Sequence, residues 1–497
     1  MFRKVLIANR GEIAVRVIRS LREMGIASVA VYSDPDRTSL HVRMADEAVH
    51  VGPGPSSESY LRIDRILAAA RVRGADAIHP GYGFLSENAE FAAACEAAGV
   101  TFIGPSAGSI RAMGSKTAAR RSAIAAGAPV VPGVDHAVTA EELRDFARTH
   151  GYPILLKAVA GGGGKGMRRV DRDADLDSAL RDASSEAERA FRNGDIYVEK
   201  LIERPRHIEI QVLGDRHGNM VHLGERECSI QRRHQKVIEE CPSPLVARYP
   251  EMRHAMGEAA VRAAKAADYY NAGTVEFLVD QEHRFYFLEM NTRLQVEHPI
   301  TELVTGLDLV RLQVEIAAGA RLPFTQDQVS WRGSAIECRI YAEDPFNDFL
   351  PYPGKITRLT RPLGPGIRLD GCVYDGWTVP MEYDPLLAKL AVWADTRGNA
   401  IARMVRALGE YDVAGIRTNI AFFRQILEDP EFRAGGLHTG FIEEFFRRAT
   451  PPEPRSDAAA VAALVAALHS ASRTSAAAPP SVRLSRWLQQ GREDLLR

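Results

Sequence analysis

Acidic and amide side chains recur at every second position of one segment in the middle of the chain. Glu289, Asn291 and Arg293 are spaced by two residues, and Glu276 lies on the preceding β-rich run. Positions with this spacing share one face of an extended strand, so Glu276 and Glu289 should face each other across a hairpin. Carboxylate and amide oxygens suit Mg²⁺, a hard cation that shares substrate phosphates. We therefore predict a metal site formed by Glu276, Glu289 and Asn291.

The same alternation continues beyond the hairpin with side chains suited to an anion. If the chain stays extended, Arg293, Gln295 and Glu297 fall on the same face. Arginine presents a planar fork that matches a planar anion with three oxygens, and a carboxylate two to four residues away is placed as a general base. An exposed acidic face is the alternative. It is weakened because Glu276 and Glu289 lie within apolar runs, where an unpaired carboxylate is costly.

A second set of hydrogen-bond donors lies in residues 229–236, with the sequence SIQRRHQK. Taken alone, such a cluster is best interpreted as a solvated basic loop. Cys228, which precedes the cluster, is interpreted as a plain buried thiol rather than as a nucleophile.

A glycine-rich loop, residues 160–166 with the sequence AGGGGKG, follows a strand that ends in Lys157. Its glycines satisfy G-x-G-x-x-G, but a dinucleotide fold needs a helix directly afterwards, and residues 167–170 resemble a returning strand. Residues 114–117 lack the order of a P-loop. A strand–glycine loop–strand flap suits a lid that closes over nucleotide phosphates, because bare backbone N–H groups can approach anionic oxygens closely. A mobile turn is the alternative.

Three patterns of predicted elements must position these residues. Residues 1 to about 112 alternate strands (5–8, 28–32, 75–79 and 101–103) with helices such as 12–24, which predicts a parallel sheet with helical crossovers. From about 113 to 330, strands at 153–157, 196–199, 207–212 and 220–223 are joined by short turns, and 274–279 with 284–289 form a hairpin. A third region begins near Trp331 with a strand at 335–340 and ends in a helix near Arg447.

The last 50 residues differ in composition. Residues 450–480 form an Ala/Ser/Pro-rich linker around one possible helix at 458–468, and residues 485–497 fit an amphipathic terminal helix. A frayed tail and a docking segment are equally good interpretations.

Composition excludes several classes of protein. In 497 residues, 63 Lys and Arg balance 64 Asp and Glu, so no general charge favours nucleic acid or an anionic membrane. The five cysteines are scattered without a C-x-x-C pair, which argues against disulfides and zinc and fits a reducing compartment. The N-terminus lacks the features of a secretory signal, and no apolar stretch of about 18 residues occurs. We expect a cytoplasmic protein.

Several motifs in a fixed order resemble the signature segments of biotin carboxylase. The resemblance runs from residue 1 to about 446. Its segments are residues 8–13 (ANRGEI), 79–88 (HPGYGFLSEN), 157–167, 228–236 (CSIQRRHQK), 289–299 (EMNTRLQVEHP), 337–340 (ECRI), 342–345 (AEDP) and 383–389 (YDPLLAK). The family implies an ATP-grasp fold of mixed α/β and α+β class. We expect an N-terminal Rossmann-like α/β domain at 1–112, an ATP-grasp domain at 113–330 with a mobile lid at about 131–203, and a C-terminal cap at 331–447, followed by the linker and terminal helix at 448–497.

The resemblance also implies a role for individual residues. Lys236, Arg293, Gln295 and Val296 would hold bicarbonate, and Glu297 would deprotonate it for attack on the γ-phosphate of ATP, giving carboxyphosphate. Arg339 would stabilise the biotin enolate, with Tyr82 near the biotin ring. Glu276, Glu289 and Asn291 would hold Mg²⁺ or Mn²⁺. ATP would be bound by Lys116, Lys157, Gly162, Gly163, Gly164, Gly166, Met167, Glu199, Lys200, Ile202, His207, Gln231, His234, Leu278 and Glu289.

The partners follow from the same resemblance and from one departure. No Met-Lys dipeptide occurs, so the family's biotin-attachment site is absent. Biotin is therefore expected on a separate biotin carboxyl carrier protein, with carboxyltransferase subunits as further partners. Acetyl-CoA is the expected final acceptor, with propionyl-CoA, methylcrotonyl-CoA or pyruvate as alternatives. A homodimer is expected, although Arg19 and Glu23, which resemble interface positions, also fit a surface i,i+4 ion pair. Another ATP-grasp ligase, such as one making carbamoyl phosphate, and a non-catalytic nucleotide-binding scaffold are the competing hypotheses.

Overall fold

The computed structural model describes residues 1–114, 116–134, 136–159, 167–448 and 458–474. Up to Phe445 the chain forms one compact unit, and residues from Phe446 onward form a second. The mixed α/β architecture predicted from the sequence is confirmed. Among the described residues, no helix is long and apolar enough to cross a bilayer.

The N-terminal part of the compact unit is a five-stranded parallel sheet in the order β3-β2-β1-β4-β5. Its core is made by buried aliphatic side chains such as Val5, Leu6 and Ile7. Strand β3 was not predicted, because its sequence EAVHVG mixes polar and apolar residues. The elements are β1 (Lys4–Ile7), α1 (Gly11–Glu23), β2 (Ala27–Ser33), α2 (Leu40–Met44), β3 (Glu47–Gly52), α3 (Ile63–Arg73), β4 (Ala77–His79), α4 (Ala89–Ala97), β5 (Thr101–Phe102) and α5 (Ala107–Gly114).

A small antiparallel sheet in the order β7-β6-β8 follows, covered on one side by two helices. The glycine-rich loop connects β6 to β7, so the predicted strand–loop–strand flap is confirmed at both ends, while residues 160–166 themselves lie outside the described part of the chain. The elements are α6 (Lys116–Ala125), α7 (Ala140–His150), β6 (Ile154–Ala158), β7 (Met167–Val170), α8 (Leu176–Phe191) and β8 (Ile196–Lys200).

The largest sheet has eight strands in the order β13-β12-β9-β10-β11-β14-β19-β18. It joins strands from both sides of residue 330, because β11 pairs directly with β14. The elements from Arg206 to Tyr341 are β9 (Arg206–Gly214), β10 (Met220–Arg232), β11 (Gln235–Cys241), α9 (Pro250–Ala266), β12 (Asn271–Val279), β13 (Phe285–Asn291), α10 (His298–Thr305), α11 (Leu309–Ala317) and β14 (Ser334–Tyr341).

The remaining elements complete this sheet and pack helices beside it. They are β15 (Glu343–Asp344), β16 (Leu350–Pro351), β17 (Arg358–Thr360), β18 (Ile367–Gly371), β19 (Leu386–Ala394), α12 (Arg397–Glu410), β20 (Asp412–Ala414), α13 (Ile420–Glu428), α14 (Pro430–Ala434) and α15 (Phe441–Arg448). In the second unit, α16 (Ala458–Thr474) includes the helix predicted at 458–468, and the terminal helix predicted at 485–497 lies outside the described residues.

The basic cluster is not a solvated loop. Strand β10 runs on to Arg232, well past the predicted end at residue 223, and β11 begins at Gln235. Only a tight turn separates them, in which Arg233 and His234 adopt left-handed backbone conformations with φ of 50° and 66°. Ser229 and Gln231 are buried. The alternation of exposed and buried side chains in this pair of strands was hidden by their high content of charged residues.

Candidate active site

The hairpin β12–β13 places the two acidic residues as predicted. Glu276 and Glu289 are direct partners in the antiparallel register, and Thr274 faces Asn291 two positions away. Glu276 is buried, as its apolar neighbours indicated. Asn291 donates from Nδ2 to Glu276 Oε1 at 3.0 Å. The hairpin therefore brings together the oxygen donors of the predicted metal site.

The chain does not stay extended beyond this hairpin, so that part of the prediction is wrong. Strand β13 ends at Asn291, and Glu297 occupies the N-cap position of α10, whose first turn contains Pro299. Proline in the first turn is preorganised for a helix start, which ends the alternation before Glu297. The ring of His298 also bonds back to the carbonyl of Gln295 at 2.8 Å.

The side chains of this irregular segment nevertheless converge. Arg293 donates from Nη2 to Asn291 Oδ1 at 3.0 Å and from Nη1 to Gln295 Oε1 at 3.3 Å. Gln295 in turn donates to Glu276 Oε1 at 3.1 Å. Arg293 Nε bonds to Glu87 Oε2 at 2.9 Å. Glu87 was not singled out, although it lies within the quoted segment 79–88.

Lys236, on β11, is the centre of the cluster. Its Nζ lies 2.5 Å from Glu209 Oε2, 2.8 Å from Glu276 Oε1 and 2.8 Å from Glu297 Oε1. Burial alone would lower the pKa of Lys236, but these three carboxylates raise it well above its usual value, so the ammonium stays charged. Glu209 was missed from the sequence, although it alternates with His207 on β9.

Glu297 is fully buried between two cations. Its second oxygen accepts from Arg339 Nη2 at 2.8 Å, and Arg339 Nε donates to Glu239 Oε1 at 2.6 Å. Burial by itself would raise the pKa of Glu297, but Lys236, Arg339 and Arg226 hold that pKa well below its usual value. Glu297 is therefore ionised at neutral pH, as a proton acceptor must be.

Two nucleotide-binding candidates adjoin the acidic hairpin. His207 Nε2 lies 3.0 Å from Glu276 Oε2, and Gln231 Nε2 lies 2.9 Å from His207 Nδ1. Burial would raise the pKa of Glu276, but Lys236 and His207 lower it, so this carboxylate is also ionised. Cys228 is buried 3.8 Å from Glu297, and burial raises the pKa of its thiol well above the usual value, in agreement with an inert thiol.

The small sheet beneath the glycine-rich loop contributes a second group. Lys157 Nζ lies 2.5 Å from Glu199 Oε2, and Arg120 Nη1 lies 3.3 Å from the other oxygen of Glu199. Lys200 instead donates to the backbone carbonyls of Gly151 and Tyr152 at 3.1 and 3.0 Å. Arg120 was missed, since a lone arginine on a helix carries no signal in the sequence.

The other predicted nucleotide-binding residues are placed less closely. Met167 begins β7, Ile202 follows β8, and Leu278 is the register partner of His207. Gly162, Gly163, Gly164, Gly166 and the side chain of Lys116 lie outside the described part of the chain.

A cavity of ≈ 640 Å³ joins most of the predicted residues. Tyr82 and Val296 line it, and both are contacted by Lys389, whose Nζ donates to the Val296 carbonyl at 2.8 Å and lies 5.8 Å from the centre of the Tyr82 ring. The predicted site residues in its wall are Tyr82, His207, His234, Lys236, Glu276, Glu289, Asn291, Arg293, Gln295, Val296 and Arg339. Carboxylates, a planar cation fork and a buried ammonium in one cavity suit the transfer of a phosphoryl group to an oxyanion.

Comparisons with known proteins agree over most of the chain. Three family models match in succession: "Biotin carboxylase, N-terminal domain" at residues 1–110, "Carbamoyl-phosphate synthase L chain, ATP binding domain" at 115–325 and "Biotin carboxylase C-terminal domain" at 337–444. The biotin carboxylase of Nostoc sp. is 53% identical over 444 residues, covering 89% of this chain and 99% of its own length. A pyruvate carboxylase subunit from Methanothermobacter thermautotrophicus is 53% identical, covering 90% and 91%.

Among solved structures, the biotin carboxylase domain dimer of the Hydrogenobacter thermophilus 2-oxoglutarate carboxylase, in complex with MgADP, ADP and bicarbonate, superimposes with a TM-score of 0.85. It is 48% identical, and the match covers 90% of this chain and 98% of that one.

Proposed function

This chain belongs to the biotin carboxylase family, and from that premise we propose how its residues divide the reaction. It is an ATP-dependent biotin carboxylase that uses ATP, Mg²⁺ and bicarbonate. The observation that carries the assignment of roles is the convergence of Lys236, Arg293, Glu297 and Arg339 on one cavity beside the Glu276–Glu289 hairpin.

In the first step, Glu297 accepts the proton of bicarbonate. Arg293, Gln295 and Val296 hold the anion, and Lys236 lies against both the base and the acidic hairpin. An oxygen of the deprotonated anion then forms a bond to the γ-phosphorus of ATP while the bond to the ADP oxygen breaks, which gives carboxyphosphate and ADP. Positioning and charge neutralisation supply most of the catalysis in such transfers.

The metal would be held by Glu276, Glu289 and Asn291. The donor set fits, since two carboxylates and an amide on one hairpin offer the oxygen ligands that Mg²⁺ prefers, and Glu276 is held ionised. The ion supplies neutralisation of the phosphate charge when bound. Lys236 and His207, which contact Glu276, orient this carboxylate from the neighbouring strands.

ATP would lie between the small sheet and the hairpin. Lys157, Glu199 and Lys200 belong to the small sheet, His207, Gln231 and His234 to the large one, and Leu278 and Glu289 to the hairpin. Lys116, Met167, Ile202 and glycines 162, 163, 164 and 166 complete the proposed nucleotide site. The glycine-rich loop acts as a lid that excludes water during transfer.

In the second step, carboxyphosphate separates into CO₂ and phosphate, and the phosphate takes the ureido proton of biotin. Arg339 stabilises the resulting enolate, with Tyr82 beside the biotin ring, and the nitrogen then attacks CO₂. Biotin is carried by a separate carrier protein, because this chain has no Met-Lys site.

The assembly extends beyond this chain. We place carboxyltransferase subunits and a carrier protein with it in the cytoplasm, where its five buried free thiols would persist. A homodimer is supported by the dimeric Hydrogenobacter domain. Acetyl-CoA is the proposed final acceptor, with propionyl-CoA, methylcrotonyl-CoA and pyruvate as alternatives. Purification of the assembly and assay with each acceptor decides among them. The proposed domains are 1–112, 113–330, 331–447 and 448–497.

Steady-state ATP hydrolysis by the isolated chain tests this function. Hydrolysis should require bicarbonate and rise on addition of free biotin. Hydrolysis that ignores both would refute the proposal. One family model describes a carbamoyl-phosphate synthase domain, so turnover with ammonia is measured in parallel; turnover that depends on ammonia would favour that ligase chemistry instead.

A further inference from the structure

Two buried carboxylates face each other directly behind Arg339. Glu239 on β11 and Glu337 on β14 are register partners, and both are 0% exposed. Arg339 lies two residues after Glu337, so its side chain leaves the strand on the same face. Opposed residues of antiparallel strands have Cβ atoms about 5 Å apart, and two ions of like charge at that distance destabilise the pair.

The two carboxylates have different surroundings. Glu239 Oε1 accepts from Arg339 Nε at 2.6 Å, whereas neither oxygen of Glu337 has a hydrogen-bond partner among the described residues. An ionised carboxylate buried without partners is strongly disfavoured, so Glu337 carries the proton and Glu239 the charge. The charged groups near Glu239 are Arg339, Glu297 and Lys236, and those near Glu337 are Lys389, Glu239, Arg339 and Glu297.

The titration of both groups agrees with this division. Burial raises the pKa of Glu337 well above its usual value, with Lys389 opposing it, and burial raises the pKa of Glu239 only to about 7 because Arg339 opposes it more strongly. Glu239 is therefore the first of the two to ionise.

The charge on Glu239 fixes the plane of the Arg339 guanidinium. Nε is held by Glu239 and Nη2 by Glu297, so the group cannot rotate without breaking a charge-assisted bond. We propose that Glu239 is a positioning residue for Arg339, and that Glu337 lies opposite it as an uncharged acid that leaves Glu239 the only anion in the pair. This inference rests on the proposed function, since it concerns the role given to Arg339.

The matched variants Glu239→Gln and Glu337→Gln test it in the full-length chain. Glu337→Gln replaces a neutral acid by a neutral amide of the same size, so biotin-stimulated turnover should stay within about twofold of wild type. Glu239→Gln removes the charge, so kcat should fall by about tenfold or more. The KM for ATP should stay within about twofold in both variants, because the proposed nucleotide residues lie elsewhere.

Thermal unfolding and ADP affinity of each variant show whether the fold is intact. If Glu239→Gln does not fold, Glu239→Asp, which keeps the charge but shortens the reach, must show the same loss of kcat. Equal losses in Glu239→Gln and Glu337→Gln, or a fully active Glu239→Gln, would overturn the inference. A wild-type chain without bicarbonate-dependent hydrolysis would instead refute the proposed function.

Discussion

Lys236 and Glu297 form a direct ion pair, with Nζ 2.8 Å from Oε1 and the carboxylate fully buried. The same ammonium lies 2.8 Å from Glu276 on the acidic hairpin. One cation therefore connects the residue proposed as the base to a residue proposed as a metal ligand. This arrangement keeps both carboxylates ionised in a cavity that water would otherwise have to solvate.

Lys236→Met should be both inactive and unstable. The substitution leaves three buried carboxylates, those of Glu209, Glu276 and Glu297, without their shared cation. Breaking a buried pair from one side costs about 3–5 kcal/mol, and we expect a loss of that order in the free energy of unfolding, measured with denaturant. The exposed Lys265→Met is the control and should match wild type. Wild-type stability in Lys236→Met would contradict the proposed network.

Arg339→Gln should shift the pH dependence of the residual activity. Arg339 is one of the cations that lower the pKa of Glu297, so its removal raises that pKa. A base acts only when ionised, and the acid limb of the kcat/KM profile should therefore move to higher pH. The profile of Arg321→Gln, an exposed control, should not move. A lower rate with an unmoved acid limb would exclude Glu297 as the titrating base.

Glu276→Gln should weaken the use of magnesium. An amide in place of this carboxylate removes one anionic ligand, and the Mg²⁺ concentration for half-maximal turnover should rise by about tenfold or more. Glu282→Gln, in the exposed turn of the same hairpin, serves as the matched control. Unchanged magnesium dependence in Glu276→Gln would remove this residue from the proposed metal site.

Gly133→Ala should impair nucleotide binding. Gly133 forms a β-bridge with Glu199, and an added Cβ would lie 2.7 Å from the Val198 carbonyl oxygen and 2.8 Å from Glu199 Cγ. Displacement of Glu199 should raise the KM for ATP severalfold and leave the KM for bicarbonate unchanged. At Gly108 the nearest atom to an added Cβ is 3.5 Å away, so Gly108→Ala should be neutral. Equal KM values for both variants would argue against a nucleotide role for Glu199.

Asp36→Asn should lower stability most at neutral pH. Arg10 Nε donates to Asp36 at 2.5 Å and Tyr60 at 2.6 Å, and although burial opposes it, the pKa of Asp36 is lowered from 3.8 to about 2. At 1.36 kcal/mol per pKa unit this ionisation contributes roughly 2 kcal/mol, present above about pH 4 and lost as the pH falls toward 2. Denaturant unfolding from pH 7 to pH 3 should show wild type losing this stability and Asp36→Asn lacking it throughout. Parallel curves would contradict the assignment.

The acidic hairpin could be predicted from the sequence because side-chain alternation is a local property of a strand. Glu276 and Glu289 meet for that reason alone. Arg293 and Glu297 also reach the site, but by a turn and a helix start that alternation does not describe.

Contacts between distant strands could not be predicted from local patterns. Glu209 joins the Lys236 cluster from β9, and Glu239 reaches Arg339 only through the pairing of β11 with β14. That pairing joins regions about 100 residues apart in the chain, where the relative register is set by packing of the whole sheet. Motif resemblance identified Arg339 but gave no reason for its orientation.

The most direct test of this account is the formation of carboxybiotin by the isolated chain. The assay supplies ATP, Mg²⁺, isotopically labelled bicarbonate and free biotin, and label in biotin is measured for wild type and Glu297→Gln. We predict label in biotin with wild type and a rate lower by about 10²–10⁴ in Glu297→Gln, since a general base contributes about that factor. No label with wild type, or an undiminished rate in Glu297→Gln, would contradict the account.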